Sequence, residues 1–137
     1  MALIPDISAI LAIAFDDEDA AYAEAVIEAI GADEAIVPTL FWFELRNALI
    51  MGERRKRLTP VRTAAFLSDL ALLPFSVDES PREAIVLDLA RQHALTVYDA
   101  AYLELAQRKN LPLATLDDAL IKAAKNSAIA IFKPGSK

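Results

Sequence analysis

Short apolar runs alternate with longer stretches of helical periodicity along the whole of this chain, and that alternation limits the folds open to it more than any other feature. Residues 2–4, 35–37, 74–77, 113–115 and 128–132 each read as a buried strand. Helices are predicted between them. The first begins in the acids at 16–19, whose charge suits a helix N-terminus, and is stopped by Gly31. Others are expected over about 40–55, then from Thr59-Pro60 to about 72, and from a cap and first turn at Ser80-Pro81 to about His93. After a brief connector at Thr96-Val97, two more cover about 99–109 and 117–125. Strands alternating with helices predict a three-layer α/β/α fold around a central, mostly parallel sheet. Pro5, which has no N–H, is expected to end the ladder of the first strand.

A parallel sheet gathers the carboxyl ends of its strands along one edge, where residues remote in sequence meet in one crevice. Asp6, Glu44, Asp99 and Asp117 each follow a predicted strand or stand in the helix after it. Carboxylates collected in one crevice call for a cation, and oxygen-only donors suit hard divalent ions such as magnesium or manganese. The pattern points to a metal-dependent phosphodiesterase. Plain structural roles compete with this: Asp6 and Asp117 stand at N-cap positions, Asp99 stands in a first helical turn, and Glu44 neighbours Arg46. What favours the crevice is Phe41-Trp42-Phe43-Glu44-Leu45, a stretch apolar enough to half-bury its acid. A buried carboxylate is costly unless it is paired or bound to a metal.

With 137 residues, the chain is expected to form a single domain over 1–133 with a flexible tail at 134–137. Its three glycines leave no phosphate-cradling loop, and the lack of cysteine removes thiolate zinc sites and cysteine nucleophiles. No apolar run approaches the roughly 18 residues needed to span a bilayer. Residues 1–15 lack the basic start of a signal peptide, so a cytoplasmic protein is expected. The net charge of −6 argues against a nucleic-acid partner, but that objection weakens once the highlighted acids are taken to hold divalent ions, which reverse the local sign.

The neighbourhoods of the acids resemble the PIN-domain ribonucleases, and in particular VapC-type toxins of toxin–antitoxin pairs. Asp6-Ile7-Ser8 is similar to the family's Asp-x-Ser, and Glu44-Leu45-Arg46-Asn47 to its Glu-x-x-Asn. Tyr98-Asp99-Ala100-Ala101-Tyr102-Leu103-Glu104-Leu105-Ala106 resembles its Asp-x-x-Tyr-x-x-Leu-Ala segment, and Thr115-Leu116-Asp117-Asp118-Ala119-Leu120 its Thr-x-Asp-x-x-Leu ending. The resemblance implies a PIN-like fold and hydrolysis of RNA phosphodiesters by a metal-activated water. Asp6, Glu44 and Asp99 would hold one magnesium or manganese ion, with Asp117 completing its shell or helping a second; Asp118 is the alternative to Asp117. Ser8, Asn47 and Thr115 would orient the carboxylates. A VapB-type antitoxin and a homodimer are the implied partners, with no membrane attachment. An apolar groove formed by helices over 18–30 and 40–72 is the expected docking place of the antitoxin.

Arg54, Arg55, Lys56 and Arg57 form a dense basic run that reads equally as an RNA-phosphate contact and as a solvated helix end. His93, the sole histidine, lies outside the acidic motifs and reads as structural or exposed. Phe41, Trp42 and Phe43 read as core or interface packing, with base stacking as the alternative. The rival readings are a catalytically silent PIN-like module that binds RNA or protein, and a DNA nuclease with the same metal centre.

Overall fold

A computed structural model of the chain describes residues 1–15 and 20–135. Its strands β1 (Ile4–Pro5), β2 (Ala35–Pro38), β3 (Phe75–Asp78) and β4 (Leu113–Ala114) all pair in parallel. β1 and β4 pair with Ile4 opposite Leu113 and Pro5 opposite Ala114; β2 and β3 pair from Ala35 opposite Phe75 to Pro38 opposite Asp78. Leu3 joins the two pairs by bridging to Ala35, and Leu113 bridges outward to Ile131. The order across the sheet is therefore β3, β2, β1, β4 and the Ile131 segment.

Helices α1 (Ala21–Ala32), α2 (Leu40–Arg54), α3 (Pro60–Leu70), α4 (Glu83–His93), α5 (Val97–Lys109) and α6 (Asp118–Asn126) fill the connections, and two short 3-10 turns, Ile7–Ala9 and Leu11–Ile13, follow β1. The chain lays down β1, β2 and β3 in one direction, then returns past them to β4. With right-handed crossovers, α1, α2 and α3 cover one face and α4, α5 and α6 the other. α5 packs on β1, β2 and β4 between α4 and α6. Phe41 of α2 meets Phe75 of β3 with ring centroids 5.6 Å apart. Fully buried Ile4, Leu45, Leu103, Leu113 and Leu120 form the core between these layers, each contributing about 1.5–3 kcal/mol by leaving water. Gly52 lets α2 approach the turn after β1, since a Cβ there would lie 2.5 Å from Cε1 of Phe15. The reversal of direction falls between β1 and β4, and a crevice outside the carboxyl ends of two such strands is where this class of fold binds ligands.

Several sequence expectations are corrected. Pro5 belongs to β1 and ends only one of its ladders. The Ile4 and Asp6 amides donate to the Pro112 and Ala114 carbonyls of the β4 side, whereas Leu3 exchanges bonds with Glu34 and Ile36 on the β2 side. An N–H at position 5 would point, like that of Leu3, towards β2, so its absence stops that ladder alone. The strand expected over 128–132 reduces to the Ile131 bridge, because the chain leaves α6 through a left-handed Ala128 (φ 57°) and reaches β4 only afterwards. α1 continues through Gly31 to Ala32. α4 starts at Glu83 and not at Ser80-Pro81, and Arg82 before it keeps extended backbone with no side-chain cap. Thr96 is a helix cap and not a connector: its hydroxyl accepts the Asp99 N–H at 3.1 Å, which starts α5 at Val97. The acids at 16–19, and residues 136–137 of the expected tail, lie outside the described residues.

Candidate metal centre

Asp6 leaves β1 at the switch point and is only 6% exposed. Extended backbone at Asp6 lets its carboxylate cap the following turn by accepting the Ala9 N–H at 3.2 Å on Oδ1. The Ser8 hydroxyl donates to the same oxygen at 2.5 Å, and Thr115, at the exit of β4, donates to Oδ2 at 2.5 Å. Ser8 also accepts the Leu116 amide and Thr115 accepts the Asp117 amide, which tie the exits of β1 and β4 together. Desolvation nevertheless outweighs these donors and raises the Asp6 pKa, with a further push from the charge of Asp99.

Glu44 projects from the second turn of α2, half-buried. Its Oε1 accepts the Tyr102 hydroxyl of α5 at 2.7 Å. Burial, and then the charge of Glu44, push the Tyr102 hydroxyl far above its ordinary value, so it stays protonated as a donor. The Glu44 carboxyl is itself raised, by desolvation first and then by the charges of Asp99 and Asp6. Asp99, in the first turn of α5, is raised by burial and by the charge of Asp117. Asp117 caps α6 by accepting the Leu120 N–H at 3.1 Å on Oδ2. Asp99 is thus felt by both Asp6 and Glu44, Asp6 is felt by Glu44, and Asp117 acts on Asp99. Asp118, one residue on, is exposed and does not enter the field felt by Asp99.

The hydrogen bonds that hold Asp6 and Glu44 come, among the described residues, from hydroxyls and an amide. Among the described residues, no set of three or more acids, histidines or cysteines stands as a ready-made cage for an ion. The chemistry of the donors still fits a hard divalent cation, being oxygen-only, anionic and mutually repelling. Such an ion requires Glu44, Asp99 and Asp117 to turn towards an Asp6 that Ser8 and Thr115 already hold.

Asn47 is exposed one turn along α2 from Glu44, and among the described residues its side chain donates to none of the acids. Arg54, Arg55, Lys56 and Arg57 are exposed at the far end of α2, about 15 Å along the helix from Glu44 at 1.5 Å per residue. There the Arg57 and Lys56 amides return to the Gly52 and Glu53 carbonyls around a left-handed Lys56 (φ 58°), a Schellman closure of the helix. His93 approaches Ser127 at 3.2 Å, away from the acids. Of the three aromatics before Glu44, Phe41 is core, whereas Trp42 is 53% and Phe43 69% exposed.

Sequence reasoning gave Tyr102 no role, and it missed a second acidic group altogether. Arg108 of α5 holds Asp78 through paired bonds of 3.1 and 2.6 Å, and holds Glu104 through bonds of 2.7 and 3.2 Å. The spacing of Glu104 and Arg108, one helical turn apart, was the available signal. Nothing in the sequence tied Asp78 to them.

The PIN domain family matches residues 3–126. Ribonuclease VapC3 of Pyrobaculum aerophilum is 34% identical over 122 residues, covering 85% of this chain and 90% of that protein. The crystal structure of PAE2754 from the same organism superposes with a TM-score of 0.70 at 29% identity, over 90% of this chain and 87% of that one. Mycobacterium tuberculosis VapC20, described as a sarcin-ricin loop cleaving toxin, shares the fold with a TM-score of 0.55 at 14% identity, over 96% of this chain and 99% of that one.

Proposed function

Because this chain belongs to the PIN domain family, matched over residues 3–126 and represented by a ribonuclease 34% identical to it, we propose that it is a metal-dependent endoribonuclease acting as the toxin of a toxin–antitoxin pair. The observation that carries this reading is the gathering of Asp6, Glu44 and Asp99 beside the β1–β4 switch point, where burial and their neighbours' negative charge raise all three and Asp117 adds to the charge felt by Asp99. Carboxylates that repel one another are costly to a domain that does no chemistry with them. That consideration disfavours a silent binding module.

In this reading Asp6, Glu44 and Asp99 hold magnesium or manganese, and Asp117 completes the shell or helps a second ion. The ion supplies an activated water and charge neutralisation at the phosphate. Ser8 and Thr115 keep the Asp6 carboxylate aimed through their short bonds, and Tyr102 fixes one oxygen of Glu44, which leaves the other for coordination. Asn47, on the face of α2 beside Glu44, is available as a donor to the substrate or to an acid. The basic run 54–57 makes at most a distal phosphate contact. Neutralising all four of its residues should then flatten the salt dependence of RNA binding.

The partner readings follow. A groove of about 340 Å³ between α1 and α3 has Ile27, Phe66 and Leu70 on its floor, with Glu24, Glu28 and Asp69 at its rim. This lining supports docking of a basic amphipathic antitoxin segment. A homodimer and a cytoplasmic site of action belong to the same reading, and light scattering of the purified protein tests the first. No described helix is long and apolar enough to cross a membrane.

The deciding experiment incubates purified protein with total RNA in manganese, in excess chelator, and as the Asp99→Asn variant. Cleavage in manganese alone is expected. Binding without cleavage would favour the silent module, cleavage of DNA in preference to RNA the other nuclease, and cleavage indifferent to chelator would overturn the metal reading.

A further inference from the structure

On its outer edge, β4 carries a ladder that stops one rung short of the acids. The Leu113 amide donates to the Ala130 carbonyl and the Phe132 amide to the Leu113 carbonyl, both at 2.9 Å. Successive residues of a parallel strand turn their backbone groups to opposite sides. Ala114 accordingly faces β1, where its carbonyl accepts the Asp6 amide, and Thr115 faces outward again. The next rung would run from the Thr115 amide to the Phe132 carbonyl, and among the described residues it is not formed. Instead the hydroxyl of Tyr22, in the first turn of α1, donates to that carbonyl at 3.3 Å, and its ring meets the Phe132 ring edge-on with centroids 6.2 Å apart. Burial raises Tyr22 above its ordinary value, the Thr115 amide works against that rise, and the charge of Asp6 adds to it. The hydroxyl therefore lies beside the Thr115 backbone and in the field of the acid. Thr115 is 2% exposed, so its amide needs an acceptor, and the Tyr22 oxygen stands where the strand would have supplied one.

We propose that Tyr22 is a positioning residue of the metal centre: its hydroxyl replaces the missing rung and clamps the Thr115 backbone, so that the Thr115 hydroxyl stays aimed at Asp6. The proposal rests on the endoribonuclease reading and adds a residue to its metal centre. Thr115 is the lever through which Tyr22 acts. Its hydroxyl donates to Asp6 Oδ2 at 2.5 Å, accepts the Asp117 amide at 3.0 Å and lies 3.4 Å from the Ser8 hydroxyl. One side chain thus orients two of the acids, and a displacement of about 0.5 Å at its backbone is enough to spoil both placements. The exit of β4 is held from both sides. Towards β1, Ser8 accepts the Leu116 amide at 2.9 Å. On the outer side the strand pairing has ended, and Tyr22 takes its place. A phenylalanine at this position would fill the same space against Phe132, so removing the hydroxyl alone isolates the clamp from the packing.

The test compares the parent with Tyr22→Phe, Thr115→Val and the double variant. In the metal-free protein, hydrogen exchange of the Thr115 amide, followed by NMR, should quicken roughly 5-fold in Tyr22→Phe relative to the Leu113 amide, the weight of one net hydrogen bond. Both amides are read in the same molecule, so a general loss of stability moves them together and cannot imitate the result. Manganese affinity, measured by calorimetry, should weaken about 10-fold in Tyr22→Phe and at least as much in Thr115→Val. The double variant should bind no more weakly than Thr115→Val alone, because Tyr22 acts through the hydroxyl already removed. A tyrosine that merely packed α1 against the Phe132 segment would leave manganese affinity unchanged, or its loss would multiply with that of Thr115→Val. Either result would overturn the proposal, as would exchange at Thr115 that keeps step with Leu113. RNA cleavage in manganese separates the two levels. If the parent binds manganese and cleaves RNA and only the Tyr22 expectations fail, the clamp alone is wrong. If the parent does neither, the function reading has failed and takes the role of Tyr22 at a metal centre with it.

Discussion

Two groups of carboxylates lie in this small fold, and they are treated in opposite ways. Asp78 and Glu104 share Arg108 through four hydrogen bonds, with Glu104 1% and Arg108 16% exposed. The Arg108 bonds hold the Asp78 carboxyl below its ordinary value despite its desolvation. Asp6 and Glu44 are held, among the described residues, by hydroxyl and amide donors, and desolvation raises Asp6, Glu44 and Asp99. Both groups depend on α5, which supplies Glu104 and Arg108 to the first and Asp99 and Tyr102 to the second. One group is complete within the chain and pins that helix to the end of β3. The other gathers raised carboxylates, the arrangement on which the proposed metal reading rests.

The contrast breaks most visibly if Arg108→Met is made. That change strands Glu104 in the interior, and chemical denaturation should register a loss of about 3–5 kcal/mol. Little change would mean that the Asp78–Arg108–Glu104 group is ornamental. Asp99→Asn should do the reverse. RNA cleavage should fall by at least about 100-fold, beyond the 10- to 100-fold typical of groups that merely orient a metal ligand. The thermal midpoint of the metal-free protein should meanwhile rise, because a repelling charge has gone. A midpoint that falls as it does for Arg108→Met would erase the distinction between the two groups. Tyr102→Phe sharpens it further: manganese affinity, read by calorimetry, should weaken about 10-fold while the fold stays intact.

The smallest effect is in pH. For Asp6, Glu44 and Asp99 the folded value lies above the ordinary one, so the native state binds protons more readily than the unfolded chain. Metal-free stability from this group is therefore lost as pH rises from the ordinary carboxylate range through the raised values. Asp78 is depressed, so its contribution is present above its ordinary value of 3.8 and is lost as pH falls through the folded one. Thermal midpoints across mildly acidic pH should thus rise on acidification more in the parent than in Asp99→Asn. Manganese at saturation should abolish the difference between them at neutral pH.

Much of this was legible because it is local. Short apolar runs alternating with amphipathic stretches imply a parallel α/β sheet, since strands buried on both faces need helices on both sides. The acids could be picked out by their places after those strands, and Asp117 and Thr59 cap helices as their sequence contexts suggest. Where local reading failed, a distant partner intervened. The β4 ladder passes Pro5 by on its other side, and Asp78 is held by Arg108, thirty residues further on. The exposure of Phe43 beside a buried Phe41 depends on which face of α2 meets β3, which no hydropathy pattern of three consecutive aromatics can state.

The amino-acid order by itself determined the layered architecture and the anionic character of the crevice, since periodicity and residue chemistry act within a few positions along the chain. Only the tertiary structure decided which acids are lowered and which are raised. Whether a carboxylate meets Arg108, the Tyr102 hydroxyl or another carboxylate depends on contacts between segments far apart in sequence, and burial there sets the sign of each pKa shift.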